Sequence, residues 1–216
     1  MKTGILGGTF DPVHQGHLDV AEAARAALAL DRVILMPARV PSHRQRPVAS
    51  ASHRFAMVAL AIGPYPYLSV SDEEMQDDAP SYTVNTLDRL AGRGVDLRQV
   101  FFLTGADAFR DIRTWKQYPA VLDRCAFVVV SRPGQPAPGL REMLPELAAR
   151  MRQTPCDISD RPSIYLVDAA TSPAAATDIR TRVAGGTSIT DLVPAPVADY
   201  IQKHRLYSHV PSEGIA

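Results

Sequence analysis

The stretch GGTFDPVHQGH at residues 7–17 decides how this chain is interpreted. It follows the apolar pair Ile5 and Leu6 and precedes an alanine-rich segment with helical spacing. This order predicts a strand, a glycine-rich turn and the start of a helix. At such a junction, backbone N–H groups and the positive end of the helix dipole converge on one point, which suits a phosphate group. His14 and His17 lie one helical turn apart and should face that point together, so the stretch indicates phosphate chemistry on a nucleotide.

The two histidines leave other readings open. Paired histidines at helical spacing also bind zinc, but no third ligand stands at the spacing of a His-Glu-x-x-His motif. The two histidines could also have only a structural role. The nearby Asp11 is predicted to cap the start of the helix. The glycines Gly7 and Gly8 belong neither to a Walker A loop nor to the Gly-x-Gly-x-x-Gly pattern of dinucleotide folds. Phosphate contacts are the interpretation that the local pattern favours.

Composition restricts the class of protein. The chain has 216 residues, 46% of them hydrophobic, and its 23 Lys and Arg balance its 23 Asp and Glu, which argues against a nucleic-acid-binding protein. The N-terminus lacks the apolar region of a signal peptide and no apolar run reaches membrane-spanning length, so a cytoplasmic protein without membrane contact is expected. Cys125 and Cys156 show no metal-type pairing and are predicted to be buried thiols.

Apolar runs alternate with helical patterns along most of the chain, which predicts βαβ units and a parallel sheet. The predicted strands are 3–6, 32–36, 67–70, 100–103, 126–130 and 163–166. The predicted helices are 16–30, 52–62, 82–92, 107–112, 140–151, one that Thr177 caps, and 195–204. We expect an α/β fold with a Rossmann-like parallel sheet flanked by helices, formed by one domain over residues 1–207. Its small helical portion spans about 171–207, and the tail 208–216 is expected to be disordered.

Three segments interrupt the alternation of strands and helices. Residues 37–50 are basic and rich in proline, and they are predicted to form a loop over the site beyond the second strand. Residues 132–139 are rich in proline and glycine and are predicted to be a mobile connection. The acidic run at 72–78 is interpreted as a solvated loop rather than a metal site, because charge runs usually are.

The signature at residues 7–17 resembles that of the nucleotidyltransferases with a His-x-Gly-His motif, and more closely the bacterial nicotinate-nucleotide adenylyltransferases. The similarity continues in order along the whole chain. The further matching segments are Pro37 to Arg44, 53–57, Ser81-Tyr82-Thr83 with 84–87, Gly105-Ala106-Asp107, Trp115, and Thr177-Asp178-Ile179-Arg180. Each matching segment is short, but the segments in this order are together highly specific for this family.

The chain departs from the family pattern at two places. Ala175 and Ala176 stand where the family commonly has two serines, so hydroxyl contacts to phosphate are lost there. The basic loop has Ser42-His43-Arg44 where Pro-His-Lys is usual, which replaces a compact ammonium by a planar guanidinium. Neither change removes the core of the signature.

The resemblance implies that the chain transfers the adenylyl group of ATP to nicotinate mononucleotide and releases pyrophosphate, a step of NAD biosynthesis. Mg²⁺ is the implied cofactor, held by ATP phosphates and water rather than by protein ligands. Two alternatives stay open: a related adenylyltransferase acting on nicotinamide mononucleotide or phosphopantetheine, and a non-catalytic nucleotide-binding regulator. The sequence does not define the oligomeric state, and a homodimer is one alternative.

The resemblance also assigns roles to individual residues. The implied catalytic residues are His14, His17 and Arg180. The implied ATP and phosphate contacts are Gly7, Gly8, Thr9, Phe10, Arg44, Gly105, Asp107, Thr177 and Ile179. The implied mononucleotide contacts are Tyr82, Thr83, Trp115 and Tyr118. Each of these assignments has a structural alternative. Asp107 could instead cap a helix, and Tyr82 and Thr83 could form a helix start that Ser81 caps. A lone tryptophan is more often a core residue, so without the resemblance the core interpretation is favoured for Trp115.

Overall fold

Seven parallel strands form the central sheet of this protein, in a computed structural model that describes residues 1–41, 46–76, 78–154 and 161–208. The strands of the chain are β1 Thr3–Gly8, β2 Arg32–Pro37, β3 Val40–Pro41, β4 Leu68–Val70, β5 Pro80–Ser81, β6 Val100–Gly105, β7 Ala126–Val130, β8 Met151–Gln153 and β9 Ile164–Val167. The order across the main sheet is β4-β2-β1-β6-β7-β9-β8, and β3 pairs with β5 separately. The strand order therefore reverses between β1 and β6, the position where open α/β sheets bind ligands.

Helices cover both faces of the sheet. They are α1 Gln15–Leu28, α2 Ala51–Ala61, α3 Thr83–Gly92, α4 Ala106–Phe109, α5 Leu140–Met143, α6 Ala176–Ala184 and α7 Ala195–Lys203. Successive strand residues point to opposite faces, so Ile5 and Leu6 belong to two different core clusters. One cluster packs under α1, α2, α6 and α7, and the other under α3, α4 and α5. The predicted Rossmann-like parallel sheet is confirmed.

The predicted helix over 140–151 is wrong beyond its first turn. Helix α5 ends at Met143, a 3₁₀ segment follows at Pro145–Arg150, and Met151 begins an edge strand, β8. Pro145 disfavours helical geometry at Leu144, whose φ and ψ are −128° and 64°. The short strands β3 and β5 were also not predicted, because two-residue strands have no readable periodicity.

Two predicted helix caps are also wrong. The last-but-one helix begins at Ala176 with Ala175 as its N-cap, so Thr177 lies inside the first turn. The N-cap of α1 is His14, not Asp11. The carboxylate of Asp11 instead accepts hydrogen bonds from the N–H groups of Val48 and Ala49. Ser81 ends β5, and Tyr82 is the N-cap of α3.

The acidic run is not a solvated loop in its first half. Glu73 and Glu74 are buried, and Glu73 pairs with Arg89 on α3 at 3.3 Å and with Arg93, the C-cap of α3, at 2.6 Å. The hydroxyl of Thr86 donates to Glu74 at 2.5 Å. These contacts attach the run to α3, because buried carboxylates need charged or hydrogen-bonding partners. Asp77 lies outside the described residues.

The structure also bears on the predictions for residues 132–139 and for Cys125. The segment 132–139 forms an antiparallel bridge between Arg132 and Gln135 and buries Ala137 completely, so it is an anchored turn. Cys125 is buried as predicted, and burial raises the pKa of its thiol to about 12. Cys156 and the tail 209–216 lie outside the described residues. Within the described ranges, no helix combines the length and the apolar character that crossing a bilayer requires.

Candidate active site

An open cleft of about 750 Å³ lies beyond the carboxyl ends of β1 and β6, where the strand order reverses. Its size is typical of sites for small molecules. The signature loop and the start of α1 form one side of it, and the ends of β6, α4 and α6 contribute to the rest. The cleft thus joins segments from both halves of the chain.

The signature loop has a strained backbone that its packing stabilises. Phe10 has a φ of 51°, in the left-handed region, which costs an ordinary residue roughly 1–2 kcal/mol. Its ring is 1% exposed and meets the His17 ring edge-on at 4.9 Å between centroids. A Cβ on Gly8 would lie 2.9 Å from the Phe10 ring, so this position requires glycine. Burial of an aromatic ring contributes enough to offset the strain.

His14 and His17 lie together at the start of α1, as predicted. Their ring centroids are 3.8 Å apart, and both residues line the cleft. The backbone N–H of His14 donates to Nδ1 of His17 at 3.3 Å. Because Nδ1 accepts this bond, the proton of a neutral His17 ring resides on Nε2. His17 is therefore oriented as a donor through Nε2, which suits an anionic oxygen.

Arg54 is a structural residue that the sequence analysis did not single out. Its side chain is 1% exposed, and its guanidinium donates to the carbonyls of Thr9 and Ala38 at 2.6 Å each. It also donates to the carbonyls of Arg39 and Ala49. Burial lowers the pKa of Arg54, and the nearby Asp11 carboxylate opposes that shift. Arg54 therefore ties the signature loop to the segment that follows β2.

Arg132 is a second cleft residue that was missed. Its guanidinium donates to the carbonyls of Gly16 at 3.2 Å, Ser172 at 3.4 Å and Ala174 at 3.3 Å. A Cβ on Gly16 would collide with this guanidinium, which explains the glycine between the two histidines. The signal available in the sequence was an arginine two residues after a predicted strand that ends at Val130. Such positions meet the cleft in an open α/β sheet.

Arg180 lines the cleft from α6. Its Nη1 donates to the backbone carbonyl of Asp11 at 2.7 Å, and its Nη2 donates to the Thr177 hydroxyl at 3.3 Å. Thr177, Ala175 and Ala176 also line the cleft. The helix thus places a cation next to the signature loop, and the remaining guanidinium N–H groups of Arg180 suit a phosphate.

Aromatic side chains gather at another part of the cleft. Trp115 is half-buried and packs its indole edge-on against Phe102, with ring centroids 6.1 Å apart. Lys116 places its ammonium 4.8 Å from the centroid of the Tyr82 ring and donates to Asn85 at 3.2 Å. Thr83, the first residue of α3, lines the same part. An indole face, a cation and a helix N-terminus suit an aromatic ring that carries a negative charge.

Most of the predicted site residues line this one cleft. Gly105 ends β6, and Asp107 is exposed in the first turn of α4, with its carboxylate against Gly105. Besides these, the cleft contains the predicted residues Gly7, Gly8, Thr9, Phe10, His14, His17, Tyr82, Thr83, Trp115, Thr177 and Arg180.

Two predicted residues are not in the cleft lining, and a third, Arg44, cannot be compared with it. Ile179 is fully buried in the core. Tyr118 donates its hydroxyl to Glu146 at 3.1 Å, outside the cleft lining. Arg44 lies outside the described residues, although Arg46 of the same loop lines the cleft.

Comparison with known proteins agrees with this geometry. The profile of the cytidylyltransferase-like family matches residues 5–182. A probable nicotinate-nucleotide adenylyltransferase of Thermoanaerobacter sp. is 38% identical over 216 residues, which cover all of this chain and 98% of the relative. A relative of the same name from Roseiflexus sp. is 40% identical over 94% of this chain and 96% of its own length.

This chain belongs to the nicotinate-nucleotide adenylyltransferases of the cytidylyltransferase-like family. The fold agrees with solved structures. The nicotinic acid mononucleotide adenylyltransferase of Plasmodium falciparum, complexed with NaAD, superposes with a TM-score of 0.76 at 18% identity. The match covers 98% of this chain and all of that one, so the fold of the family extends over nearly the whole chain.

Proposed function

We propose that this protein transfers the adenylyl group of ATP to nicotinate mononucleotide, forming nicotinate adenine dinucleotide and pyrophosphate. One observation carries the proposal: the histidine pair, Arg132 and Arg180 line one cleft with an aromatic and cationic group formed by Trp115, Tyr82 and Lys116. The first set suits triphosphate, and the second suits a pyridine ring with a carboxylate. The names of the relatives point to the same two substrates.

The reaction needs alignment and charge stabilisation rather than an activated nucleophile. An oxygen of the mononucleotide 5′-phosphate attacks the α-phosphorus of ATP, a new P–O bond forms, and the bond to the β-phosphate oxygen breaks. The electron pair leaves with pyrophosphate. Because the attacking phosphate is already anionic, no general base is required, and catalysis rests on positioning and on stabilising charge on the phosphoryl oxygens.

We assign the stabilising contacts to groups around the start of α1. Nε2 of His17 donates to a phosphoryl oxygen, since its Nδ1 is already engaged by the His14 backbone. Arg180 contributes its free guanidinium N–H groups from the opposite side of the signature loop. The helix N-terminus adds its partial positive charge. The backbone N–H groups at Ala175 and Ala176 replace the serine hydroxyls that the family commonly has there.

We assign Mg²⁺ to the substrate rather than to a protein site. No group of three or more His, Cys, Asp or Glu side chains among the described residues is arranged to hold a metal ion. The cleft lining at the signature loop contains the histidine pair, Arg132 and Arg180, which suit phosphates. Its carboxylate, that of Asp11, is engaged by Val48, Ala49 and Tyr207. Mg²⁺ commonly keeps several waters and binds through substrate phosphates, where it neutralises their charge. The cytoplasmic location stays a prediction.

The decisive experiment is pyrophosphate release with ATP and Mg²⁺, with nicotinate mononucleotide, nicotinamide mononucleotide and phosphopantetheine as separate acceptors. Release with the nicotinate substrate, together with a dinucleotide of the expected mass, is the outcome that we expect. Preferential release with another acceptor would reassign the substrate. Binding of ATP without turnover on any acceptor would favour a nucleotide-binding regulator.

A further inference from the structure

Tyr207 connects the end of the described chain to the signature loop. It is 4% exposed, although it follows α7 and is the last but one of the described residues. Its hydroxyl donates to Oδ1 of Asp11 at 2.7 Å, across 196 positions of sequence. The backbone of Tyr207 is left-handed, with a φ of 63°, so its ring is held in place against a local conformational cost. An arrangement of this kind persists only where surrounding contacts stabilise it.

The acceptor of this bond lies at the centre of the signature loop. The carboxylate of Asp11 is buried and also accepts from the N–H groups of Val48 at 2.8 Å and Ala49 at 3.1 Å. The backbone carbonyl of Asp11 accepts from Arg180 at 2.7 Å. Asp11 therefore joins four segments: the signature loop, the start of α2, α6 and the C-terminal residues.

The surroundings keep Tyr207 in the donor state. Burial, and then the Asp11 carboxylate, raise the pKa of the Tyr207 hydroxyl far above its usual value, while Arg180 and Arg54 act in the opposite direction. The shift favours the protonated hydroxyl, which is the form that donates to Asp11. A hydrogen bond from a hydroxyl to a carboxylate is charge-assisted and is stronger than a bond between neutral groups.

The position of Asp11 makes this contact relevant to the cleft. Asp11 directly follows Phe10, whose ring packs on His17, and lies three residues before His14, the N-cap of α1. A shift of Asp11 would move both neighbours and the carbonyl that orients Arg180. Displacements of about 1 Å in such groups can lower a rate by roughly a hundredfold.

We propose that Tyr207 is a positioning residue for adenylyl transfer, which acts through Asp11 to set the signature loop and the guanidinium of Arg180. The inference rests on the proposed function and extends the machinery of that site to the C-terminal segment. Tyr207 itself does not line the cleft. Its effect is therefore on turnover and not on the contacts of the pyridine substrate, which lie around Trp115 and Tyr82.

The test compares Tyr207→Phe with Tyr200→Phe. Both variants lose one tyrosine hydroxyl from the C-terminal part, but that of Tyr200 bonds to Nδ1 of His53 at 2.9 Å, away from the cleft lining. We expect a larger decrease in melting temperature for Tyr207→Phe than for Tyr200→Phe, because the hydrogen bond of Tyr207 is to a buried carboxylate. Both kcat values are therefore measured well below the two melting temperatures. We expect kcat to fall at least about tenfold in Tyr207→Phe only, with the KM for nicotinate mononucleotide unchanged within about twofold.

Each outcome of this comparison decides the inference. Equal kcat values for the two variants, with turnover in the parent protein, would overturn it and leave the proposed function intact. No turnover in the parent protein would overturn the proposed function itself. If Tyr207→Phe does not fold, Asp11→Asn is measured in the same way, since it weakens the same acceptor while preserving its shape. A kcat unchanged in Asp11→Asn would equally overturn the inference.

Discussion

At the scale of single residues, the hydrogen bond from the His14 backbone to Nδ1 of His17 decides which nitrogen of His17 can donate into the cleft. His14 is the N-cap of α1 and His17 lies in its first turn, with the two ring centroids 3.8 Å apart. The sequence predicted the proximity of the two rings from their spacing. It could not predict the tautomer, because that depends on a backbone N–H whose direction is set by the turn at His14.

Replacing His17 by Ala should therefore reduce kcat at least about tenfold, since a donor to the phosphoryl oxygens is lost. Steady-state pyrophosphate release measures the effect. The matched control is His53→Ala, which removes an imidazole that bonds to Tyr200 and does not line the cleft. Equal activity of the two variants would remove His17 from the mechanism.

Replacing Trp115 by Ala should raise the KM for nicotinate mononucleotide more than the KM for ATP. The indole lines the part of the cleft assigned to the pyridine ring, and aromatic stacking contributes roughly 0.5–1.5 kcal/mol beyond burial. Tyr118→Ala serves as the control, because Tyr118 bonds to Glu146 outside the cleft lining. If the Trp115 variant loses only thermal stability while both KM values stay unchanged, Trp115 is a core residue.

At the scale of secondary-structure elements, buried polar side chains attach loops that the sequence left undefined. Arg54 on α2 joins the carbonyl of Thr9 in the signature loop to three carbonyls of residues 38–49. Glu73 and Glu74 contact side chains of α3. From the sequence, Arg54 is expected only to lie in a helix, and Glu73 and Glu74 are expected to lie in a solvated loop. Their burial follows from how α2 and α3 dock on the sheet, which periodicity along one segment does not report.

The burial of Glu74 predicts a pH dependence of stability. Desolvation raises its pKa above 4.5, although Thr86 and Arg89 oppose the shift and the Glu73 carboxylate adds to it. Between the unfolded and the raised folded pKa, the folded state binds more protons, so this group lowers the free energy of unfolding as pH rises. Glu74→Gln should therefore gain stability relative to the parent protein as pH increases upward from about 4.5.

Urea unfolding across pH 4 to 8 checks this expectation. The control is Glu142→Gln, which makes the same substitution at an exposed position of α5. A stability difference between Glu74→Gln and the parent protein that stays constant with pH would contradict the desolvation argument. The comparison with Glu142→Gln separates this site from a general effect of net charge.

At the scale of the whole molecule, the cleft exists only in the folded chain. The signature loop comes from the first 17 residues, whereas Arg180 and Tyr207 come from the last 37. A ligand that binds this cleft therefore binds the native state and not the unfolded chain. ATP binding and global stability are coupled by mass action.

ATP at about a hundred times its Kd should stabilise the protein by about 2.7 kcal/mol, which corresponds to a rise in Tm of roughly 5–10 °C. Thermal denaturation measures the shift. Adenosine, which lacks the phosphates, should give a much smaller shift at the same concentration, because we assign the histidine pair and Arg180 to phosphate contacts. Equal shifts for ATP and adenosine would place the binding energy elsewhere in the cleft.

The sequence by itself determined the parallel α/β sheet, six of its strands, and the family. Hydrophobic alternation, the glycine-rich turn and the His-x-Gly-His spacing are local patterns, and local patterns report which segments become strands and helices. Most of the site residues that the resemblance implies line the cleft. The predicted helix over 140–151 is wrong because Pro145 ends it early. Ile179 and Tyr118 lie outside the cleft lining, and their roles stay predictions.

Only the tertiary structure decided which polar groups are buried together. Asp11 accepts from Val48, Ala49 and Tyr207 instead of capping a helix, and Arg132 reaches three carbonyls of distant segments. Each of these contacts joins residues more than thirty positions apart in sequence. Such pairings arise because a buried polar group must find partners wherever packing places them, and packing is a property of the whole chain.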